Sequence, residues 1–382
     1  MSRAFDTKVD RAKLVQILKE EVQLEEDEMR MCQSLLADTN LKVKLGEAIS
    51  DPFETTIGSP QGDGLSPILF AVYLESALRQ VRAKASEMHP RPADDSELPH
   101  EALYADDSDF ISTSPSFLKF LKAPIPPTIG QFKLQANATK WEDTTLTASA
   151  KDDDRPSWRT TKKLGSLLGD EEDIERRKSL ATASFKALRL LWERRKITSV
   201  NTRIRAYNAL VLPVLLYNCG TGGVTGGVIE KLEVFHRRQL REVLGVKTKD
   251  LHNVDLYERC GVSPVKHHVA WAKWSLFGHT LRMTRDTPAQ VAMDFYCQSS
   301  ESDVKSMGRA STTLPAQLFN EYRDYLKKFK LGGHTSKMHM ILAKLRKMAD
   351  GKADPSRQKW RELSASIIKC QIPSFVYRTV LG

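Results

Sequence analysis

The chain has few of the features that mark membrane, secreted or disulfide-stabilised proteins. Its 382 residues contain no apolar run of about eighteen residues, which excludes a conventional membrane-spanning helix. The N-terminus has no basic segment followed by an apolar one, so no secretory signal is predicted. The cysteines are odd in number and far apart, and we interpret them as reduced thiols of an intracellular protein: Cys32, Cys219, Cys260, Cys297 and Cys370.

Several common catalytic signatures are also missing. No Walker loop, dinucleotide fingerprint or Ser/His/Asp arrangement is evident. No CxxC or HxxxH pair occurs among the residues that could suggest zinc: Cys260, His267, His268, His279 and Cys297. Their spacing does not match a finger or knuckle, so we interpret them as core or surface residues and keep a zinc site as a minor alternative.

Charge is divided unevenly between the two halves of the chain. Residues 1–150 carry 16 Lys and Arg against 24 Asp and Glu, a net charge of −8. Residues 151–382 carry 42 against 24, a net charge of +18. A basic region of this size favours a polyanionic partner such as nucleic acid, although a solvated basic surface without a partner would have the same composition.

Two short motifs carry the most information. Residues 104–107 read Tyr-Ala-Asp-Asp, and about forty residues upstream residues 58–67 read Gly-Ser-Pro-Gln-Gly-Asp-Gly-Leu-Ser-Pro. Adjacent carboxylates at a tight turn provide half of a divalent-metal site, and glycines let a substrate approach the backbone closely. Taken alone, the first motif would be an acidic β-turn and the second an ordinary glycine- and proline-rich loop.

Together these motifs resemble the palm of reverse transcriptases from non-LTR (LINE-like) retrotransposons. Residues 2–7 resemble the end of the first polymerase motif, and residues 137–142 resemble the family's Asn-x-x-Lys-Thr-Glu segment with Trp141 in place of threonine. Residues 163–170 resemble the primer-side turn between palm and thumb, and the likeness continues to about residue 296. Three later segments resemble the helical region that follows this turn: 204–217, 235–245 and 278–283.

The resemblance implies an RNA-directed DNA polymerase that extends a DNA primer on an RNA template, with dNTPs as substrates and Mg²⁺ (or Mn²⁺) as cofactor. Transfer to the primer 3′-hydroxyl requires metal ions that lower the pKa of the hydroxyl and neutralise the leaving pyrophosphate. The family's pattern makes Asp106 and Asp107 the catalytic metal ligands. It also implies that eight residues contact nucleotide or template: Phe5, Gly58, Pro60, Gln61, Gly62, Tyr104, Ala105 and Lys140.

One metal ligand of the family has no counterpart in the chain. The aspartate that begins the first motif would stand one residue before Met1, and Asp6 lies roughly 15–20 Å along an extended chain from that position. The fingers region expected before this motif is also missing, so we expect the chain as given to extend primers poorly or not at all. The alternative is a non-catalytic nucleic-acid-binding remnant of a retroelement, and a third possibility is a truncated gene product with a marginal fold.

The resemblance implies an α+β fold in three parts. Residues 1–150 are expected to form a partial palm with an antiparallel sheet, and residues 151–260 a palm–thumb junction with a helical thumb. Residues 261–382 are expected to form a basic helical extension with a linker near 299–317. A nuclear location would suit a retroelement enzyme, but no basic import signal is evident, and no membrane partner is expected.

Local patterns predict individual elements. One helix is expected over residues 7–36, a second over 67–83 and a hairpin over 103–112 with its turn at 105–107. The proline-rich stretch 123–128 is interpreted as an insertion or linker.

The second half is predicted to be mainly helical. Residues 173–196 have one buried stripe, formed by Ala181, Phe185, Leu188 and Trp192. Residues 173–210 carry ten Lys and Arg against three acids, and a basic helix pair beside a palm would lie along a duplex backbone. Trp271 and Trp274 are three residues apart on a predicted helix, and we interpret both as core residues.

Overall fold

The computed structural model describes residues 9–37, 40–55, 58, 64–90, 92, 100–146, 157–222, 224–302, 313–333, 337–349 and 354–371. It is mostly helical (66%) with a few small antiparallel sheets, so the coarse α+β prediction is confirmed. None of the described helices is both long and apolar enough to cross a bilayer. The chain forms two compact units, Met1–Asp143 and Thr144–Gly382.

The first unit combines helices with very short strands. Its described helices are α1 (Arg11–Ile17), α2 (Glu26–Ala37), α3 (Ser66–Met88), α4 (Pro115–Lys122) and α5 (Ile125–Gly130). Its described strands form three antiparallel pairs: β1 (Asn40–Leu41) with β4 (Phe53–Glu54), β2 (Lys44–Leu45) with β3 (Ala48–Ile49), and β5 (Glu101–Tyr104) with β6 (Asp107–Phe110).

Residues 7–36 do not form the single helix that the sequence predicts. The Asp10 side chain caps α1 by accepting hydrogen bonds from two first-turn N–H groups, at 3.0 and 3.2 Å. The helix continues as a π-helical turn over Leu18–Val22, and the backbone then leaves the helical conformation at Gln23, whose φ is +57°. This break lets Leu24 pack against the core before α2 begins, so tertiary packing overrides the local helical pattern.

Helix α3 lies at the centre of the first hydrophobic core. It begins with a proline in its first turn, where no backbone N–H is required. The predicted inward residues Leu69, Tyr73, Ala77 and Val81 are buried, and Val72 is half-buried.

The prediction of a linker over residues 123–128 is wrong. Helix α5 starts at Ile125, and its Ile125 and Ile129 are buried in the first core. Prolines are compatible with the first turn of a helix, so their presence marks the start of α5 instead of a break in the fold.

The second unit contains eleven helices and one hairpin in its described residues. The helices are α6 (Asp170–Ala187), α7 (Arg189–Glu193), α8 (Val200–Leu210), α9 (Leu212–Leu215), α10 (Gly226–Leu244), α11 (Asn253–Cys260), α12 (Val265–Arg282), α13 (Pro288–Ser302), α14 (Leu314–Lys328), α15 (Met338–Ala349) and α16 (Asp354–Gln371). The hairpin pairs β7 (Lys162–Lys163) with β8 (Ser166–Leu167).

Two hydrophobic clusters support the second unit. The predicted stripe on α6 and α7 is confirmed, since Ala181, Phe185 and Trp192 are buried and Leu188 is half-buried. Trp274 is fully buried, whereas Trp271 is 61% exposed, so the core prediction for Trp271 is wrong. The two side chains point about 60° apart around the helix axis, and only Trp274 faces the neighbouring helices.

The predicted linker near 299–317 is shorter than expected at both ends. Helix α13 extends to Ser302 and α14 begins at Leu314, with Ala316 buried. Residues 303–312 lie outside the described part of the chain. Leu318 and Phe319 anchor the start of α14 in the core, which explains why this polar stretch is helical after residue 313.

Candidate functional site

The Tyr-Ala-Asp-Asp motif lies at the end of an antiparallel hairpin. Strands β5 and β6 pair over four residues each, with Tyr104 opposite Asp107. Ala105 and Asp106 form the loop, and Ala105 has a φ of +52°, in the left-handed region that tight hairpin loops require. The predicted hairpin is therefore confirmed, but it spans residues 101–110 instead of 103–112, and its loop is one residue shorter than predicted.

The end of this hairpin is accessible to solvent. The Tyr104 side chain is 67% exposed, Asp107 is exposed and Asp106 is half-buried. At the other end of the ladder Glu101 accepts a hydrogen bond from Arg82 of α3 at 2.8 Å. The hairpin is thus held to α3 at its base, and its other end carries two adjacent carboxylates, Asp106 in the loop and Asp107 at the start of β6.

The donor chemistry of Asp106 and Asp107 suits Mg²⁺. This ion commonly takes one or two protein carboxylates and completes its coordination with water and phosphate oxygens. Among the residues that the structure describes, no group of three or more His, Cys, Asp or Glu side chains could hold a metal. Two carboxylates are as many as Mg²⁺ commonly takes from a protein, so a metal held by this pair would need phosphate oxygens or water for the rest of its coordination.

Gly58, the first residue of the glycine-rich block, is held against the start of α1. Its φ is +80°, a conformation that favours glycine. Its N–H donates to the Val9 carbonyl at 2.9 Å, and its own carbonyl accepts from Arg11 Nε at 3.0 Å. Four other predicted contact residues lie outside the described residues: Phe5, Pro60, Gln61 and Gly62.

Arg11 is a positioning residue that sequence reasoning missed. Its guanidinium donates to the carbonyls of Leu36, at 2.9 Å, and Thr55, in addition to that of Gly58. Desolvation lowers the pKa of Arg11. A single side chain thus links α1, the end of α2 and the segment that leads into the glycine-rich block. No motif marks such a role, because the three acceptors are backbone atoms distant in sequence.

Asp10 is an acid near the glycine-rich block with a structural role. Its Oδ2 lies 2.7 Å from Lys133 Nζ, and this hydrogen bond lowers the pKa of Asp10 below its ordinary value. Its N–H donates weakly to the Tyr73 hydroxyl, at 3.4 Å, and that hydroxyl donates to the Phe132 carbonyl at 2.6 Å. Burial raises the pKa of Tyr73 to about 12.

Lys140 lies on an element distinct from both the hairpin and the glycine-rich block. It ends the 3₁₀ turn Ala138–Lys140, and its N–H donates to the Asn137 carbonyl at 3.0 Å. The Asn137 side chain caps this turn by accepting from the Thr139 N–H at 3.2 Å. The Lys140 side chain is exposed, so it is available to an anionic ligand.

The second unit carries a run of exposed cations, which we name the basic segment (residues 186–205). Arg203 is buried and donates to the Val243 carbonyl. The other cations of the segment are exposed: Lys186, Arg189, Arg194, Arg195, Lys196 and Arg205. The one acid in the segment, Glu193, lies 3.5 Å from Arg189. Elsewhere in the unit several cations are buried with polar partners, so net charge overstates the positive charge available to a ligand.

The likeness to non-LTR reverse transcriptases depends on the motifs themselves. No family model, curated protein or solved structure matches the chain. The structure shows the local conformation of two of these motifs. Tyr-Ala-Asp-Asp forms the end of a hairpin, and Gly58 is hydrogen-bonded to Val9, just after the segment 2–7 that resembles the first polymerase motif.

Proposed function

We propose that the protein is an RNA-directed DNA polymerase related to the reverse transcriptases of non-LTR retrotransposons. The observation that carries the proposal is the Tyr-Ala-Asp-Asp hairpin, which places the half-buried Asp106 in its loop and the exposed Asp107 at the start of β6. The first unit would then contain a partial palm, and the helices over 151–260 would contain the thumb. The proposed partners are an RNA template, a DNA primer and dNTPs.

In the proposed reaction the primer 3′-oxygen attacks the α-phosphorus of a dNTP and pyrophosphate leaves. Asp106 and Asp107 would hold Mg²⁺ (or Mn²⁺), which supplies positive charge at the reacting phosphates when bound. Ala105 has a small side chain, which leaves space beside the primer end. Tyr104 exposes its ring next to the carboxylates, where it would contact the primer or the nucleotide.

A second candidate function is binding of nucleic acid without polymerisation. The exposed cations of the basic segment favour it, because they would neutralise backbone phosphates without any catalytic group. The two candidates share the nucleic-acid partner and differ in whether Asp106 and Asp107 take part in chemistry.

Primer extension on an RNA template with Mg²⁺ tests the polymerase proposal. The informative variant is Asp106→Asn, which removes the charge and keeps the shape of the side chain. Asp51→Asn is the matched control, since Asp51 is an exposed acid of the same unit that lies between β3 and β4 and not in the hairpin. Because the first metal-binding aspartate has no counterpart in the chain, we expect at most weak extension by the wild type. Any such extension should persist in Asp51→Asn and fall at least about a hundredfold in Asp106→Asn.

The outcomes separate the two candidates. Equal extension by the wild type and Asp106→Asn would contradict the assigned role of the hairpin. If neither chain extends primers but both bind RNA with an affinity that falls steeply with salt, the second candidate is the function.

A further inference from the structure

Helices α12 and α16 are in unusually close contact. A Cβ built at Gly278 would lie only 2.1 Å from Nε1 of Trp360, so only glycine fits at this contact. The Trp360 ring is buried, with its centroid 6.0 Å from that of Trp274 and 6.0 Å from that of Phe277. The contact is therefore an aromatic cluster that fixes the relative position of the two helices.

This contact brings three arginines together at the surface, which we name the arginine cluster (Arg282, Arg357 and Arg361). Arg282 lies one turn after Gly278 on α12, whereas Arg357 and Arg361 are four residues apart on α16 and flank Trp360. Residues four apart on a helix lie on the same face. All three arginines are exposed.

The three cations are close enough to repel one another. Desolvation lowers the pKa of Arg282, and the charges of Arg357 and Arg361 lower it further. No described carboxylate forms an ion pair with any of the three. The neighbouring acid Glu362 accepts a hydrogen bond from Gln358 at 3.0 Å.

Other cations of the same unit have partners. Arg346 lies 2.7 Å from Asp294, and Lys273 pairs with Glu321. The arginine cluster differs because its charges are exposed and adjacent and form no ion pair with a carboxylate in the part of the chain that the structure describes. A bound anion would relieve the repulsion, and guanidinium groups bind phosphate oxygens with paired N–H donors.

We propose that the arginine cluster binds phosphodiester groups of a nucleic-acid backbone. The choice of nucleic acid among anions rests on the proposed function, and both candidate functions contain such a partner. The site lies on α12 and α16, which are different elements from those of the basic segment and of the Tyr-Ala-Asp-Asp hairpin. It would hold the backbone without reading sequence, since phosphate contacts carry no direct base information.

The test is the affinity of the full chain for a fluorescent 20-nucleotide oligouridylate between 50 and 300 mM salt. The variant replaces all three cluster arginines with glutamine: Arg282→Gln, Arg357→Gln and Arg361→Gln. The matched control removes three exposed cations from other elements of the same unit: Lys249→Gln, Arg259→Gln and Lys344→Gln. We expect the cluster variant to bind about tenfold more weakly at low salt, with a salt slope lower by about 2, and the control to change both much less.

Two further measurements keep the result interpretable. The cluster variant removes like-charge repulsion, so its thermal unfolding midpoint should be no lower than that of the wild type. Replacing the same three arginines with lysine retains the charge, so we expect that variant to keep most of the salt slope while binding a few-fold more weakly.

Three outcomes would overturn the proposal. The first is an unchanged affinity and slope in the glutamine variant, and the second is an equal loss in the control variant. The third is equally tight, equally arginine-dependent binding of polyglutamate, which would make an acidic polypeptide the partner. Primer extension by the same preparations, with Asp106→Asn alongside, reports separately on the polymerase proposal.

Discussion

At the scale of single residues, close contacts determine which substitutions the fold tolerates. Gly278 has no room for a side chain because the indole of Trp360 occupies the space. Gly227, also helical, has no heavy atom within 4 Å of a Cβ built on its backbone. The same substitution should therefore have opposite effects at the two positions.

We predict that Gly278→Ala destabilises the second unit by about 2–3 kcal/mol, because the new methyl group would force α12 and α16 apart. Gly227→Ala should be neutral or stabilising by up to about 1 kcal/mol, since alanine is the better helix former. Urea unfolding followed by tryptophan fluorescence measures both, because five of the six tryptophans lie in this unit. Equal stability of the two variants would contradict the close contact.

A second residue-scale prediction concerns Arg11. Lysine keeps the charge but cannot reach the carbonyls of Leu36, Thr55 and Gly58 together, so Arg11→Lys should destabilise the first unit by about 2 kcal/mol. Arg30→Lys is the control, because Arg30 is 68% exposed and pairs only with acids of its own helix. Hydrogen exchange of the residue 9–58 region would report the loss, and unchanged protection would contradict the positioning role.

At the scale of elements, a buried polar network joins α8, α10 and α12. The Tyr207 hydroxyl of α8 lies 2.8 Å from Nδ1 of the fully buried His236 of α10. The Lys266 N–H of α12 donates to the Glu233 carboxylate of α10 at 3.3 Å. Burial lowers the pKa of His236 to about 3 and that of His268 to about 4. Both rings are therefore neutral in the folded protein at pH values where the unfolded chain binds protons.

We predict that the second unit loses stability as the pH falls below about 6.5, where unfolded histidine begins to take a proton that the folded protein does not. Each of the two rings contributes up to about 1.4 kcal/mol per pH unit down to its folded pKa. Burial raises the pKa of Glu233, which favours the folded state in acid and opposes this loss. Urea midpoints between pH 7.5 and 5 test the prediction.

The control for this titration is His252→Gln, because His252 is exposed and should leave the pH dependence unchanged. Desolvation also lowers the pKa of His267, so His268→Gln should reduce the slope between pH 6.5 and 5 by about a third, even if it also lowers stability at neutral pH. The same pH dependence in the wild type and in His268→Gln would contradict a neutral, buried His268.

Sequence patterns predict elements well where the determining signals are local. The period of Leu69, Tyr73 and Ala77 predicts α3, and a short acidic turn between strand-like residues predicts the hairpin at 105–106. The break at Gln23 and the helix at Ile125 were missed because packing against the first core decides both. Sequence also places Asp106 and Asp107 at a loop, but it gives no sign of the anchoring by Arg11.

At the scale of the whole molecule, net charge is a partial guide to nucleic-acid binding. The second half carries a net +18, but Arg177, Arg203, Arg241, Lys273 and Arg346 are buried and bonded inside the fold. The exposed basic segment and the arginine cluster remain. Only the tertiary contact at Gly278 and Trp360 brings Arg282 to Arg357 and Arg361, so no local pattern predicts that cluster.

We predict that RNA binding by the full chain weakens at least about tenfold between 50 and 200 mM salt, because exposed cations would release counterions from several phosphates. Arg194→Gln with Lys196→Gln should lower the salt slope by about 1–2, since both side chains are exposed in the basic segment. Fluorescence anisotropy with a labelled RNA measures both quantities. An affinity independent of salt would contradict a phosphate-based interface.

The central claim is that the hairpin carboxylates hold a divalent metal with the substrate phosphates, and its most direct test is Mn²⁺ binding measured by electron paramagnetic resonance. The sample is the full chain with an RNA template, a 3′-deoxy-terminated DNA primer and the next dNTP, so binding is observed without turnover. We predict more tightly bound Mn²⁺ in the complex with the wild-type chain than in the same nucleic acid and dNTP without protein. The Asp106→Asn complex should bind no more Mn²⁺ than the protein-free mixture, whereas the Asp51→Asn complex should bind as much as the wild type. Equal Mn²⁺ binding by the wild type and Asp106→Asn would contradict the claim.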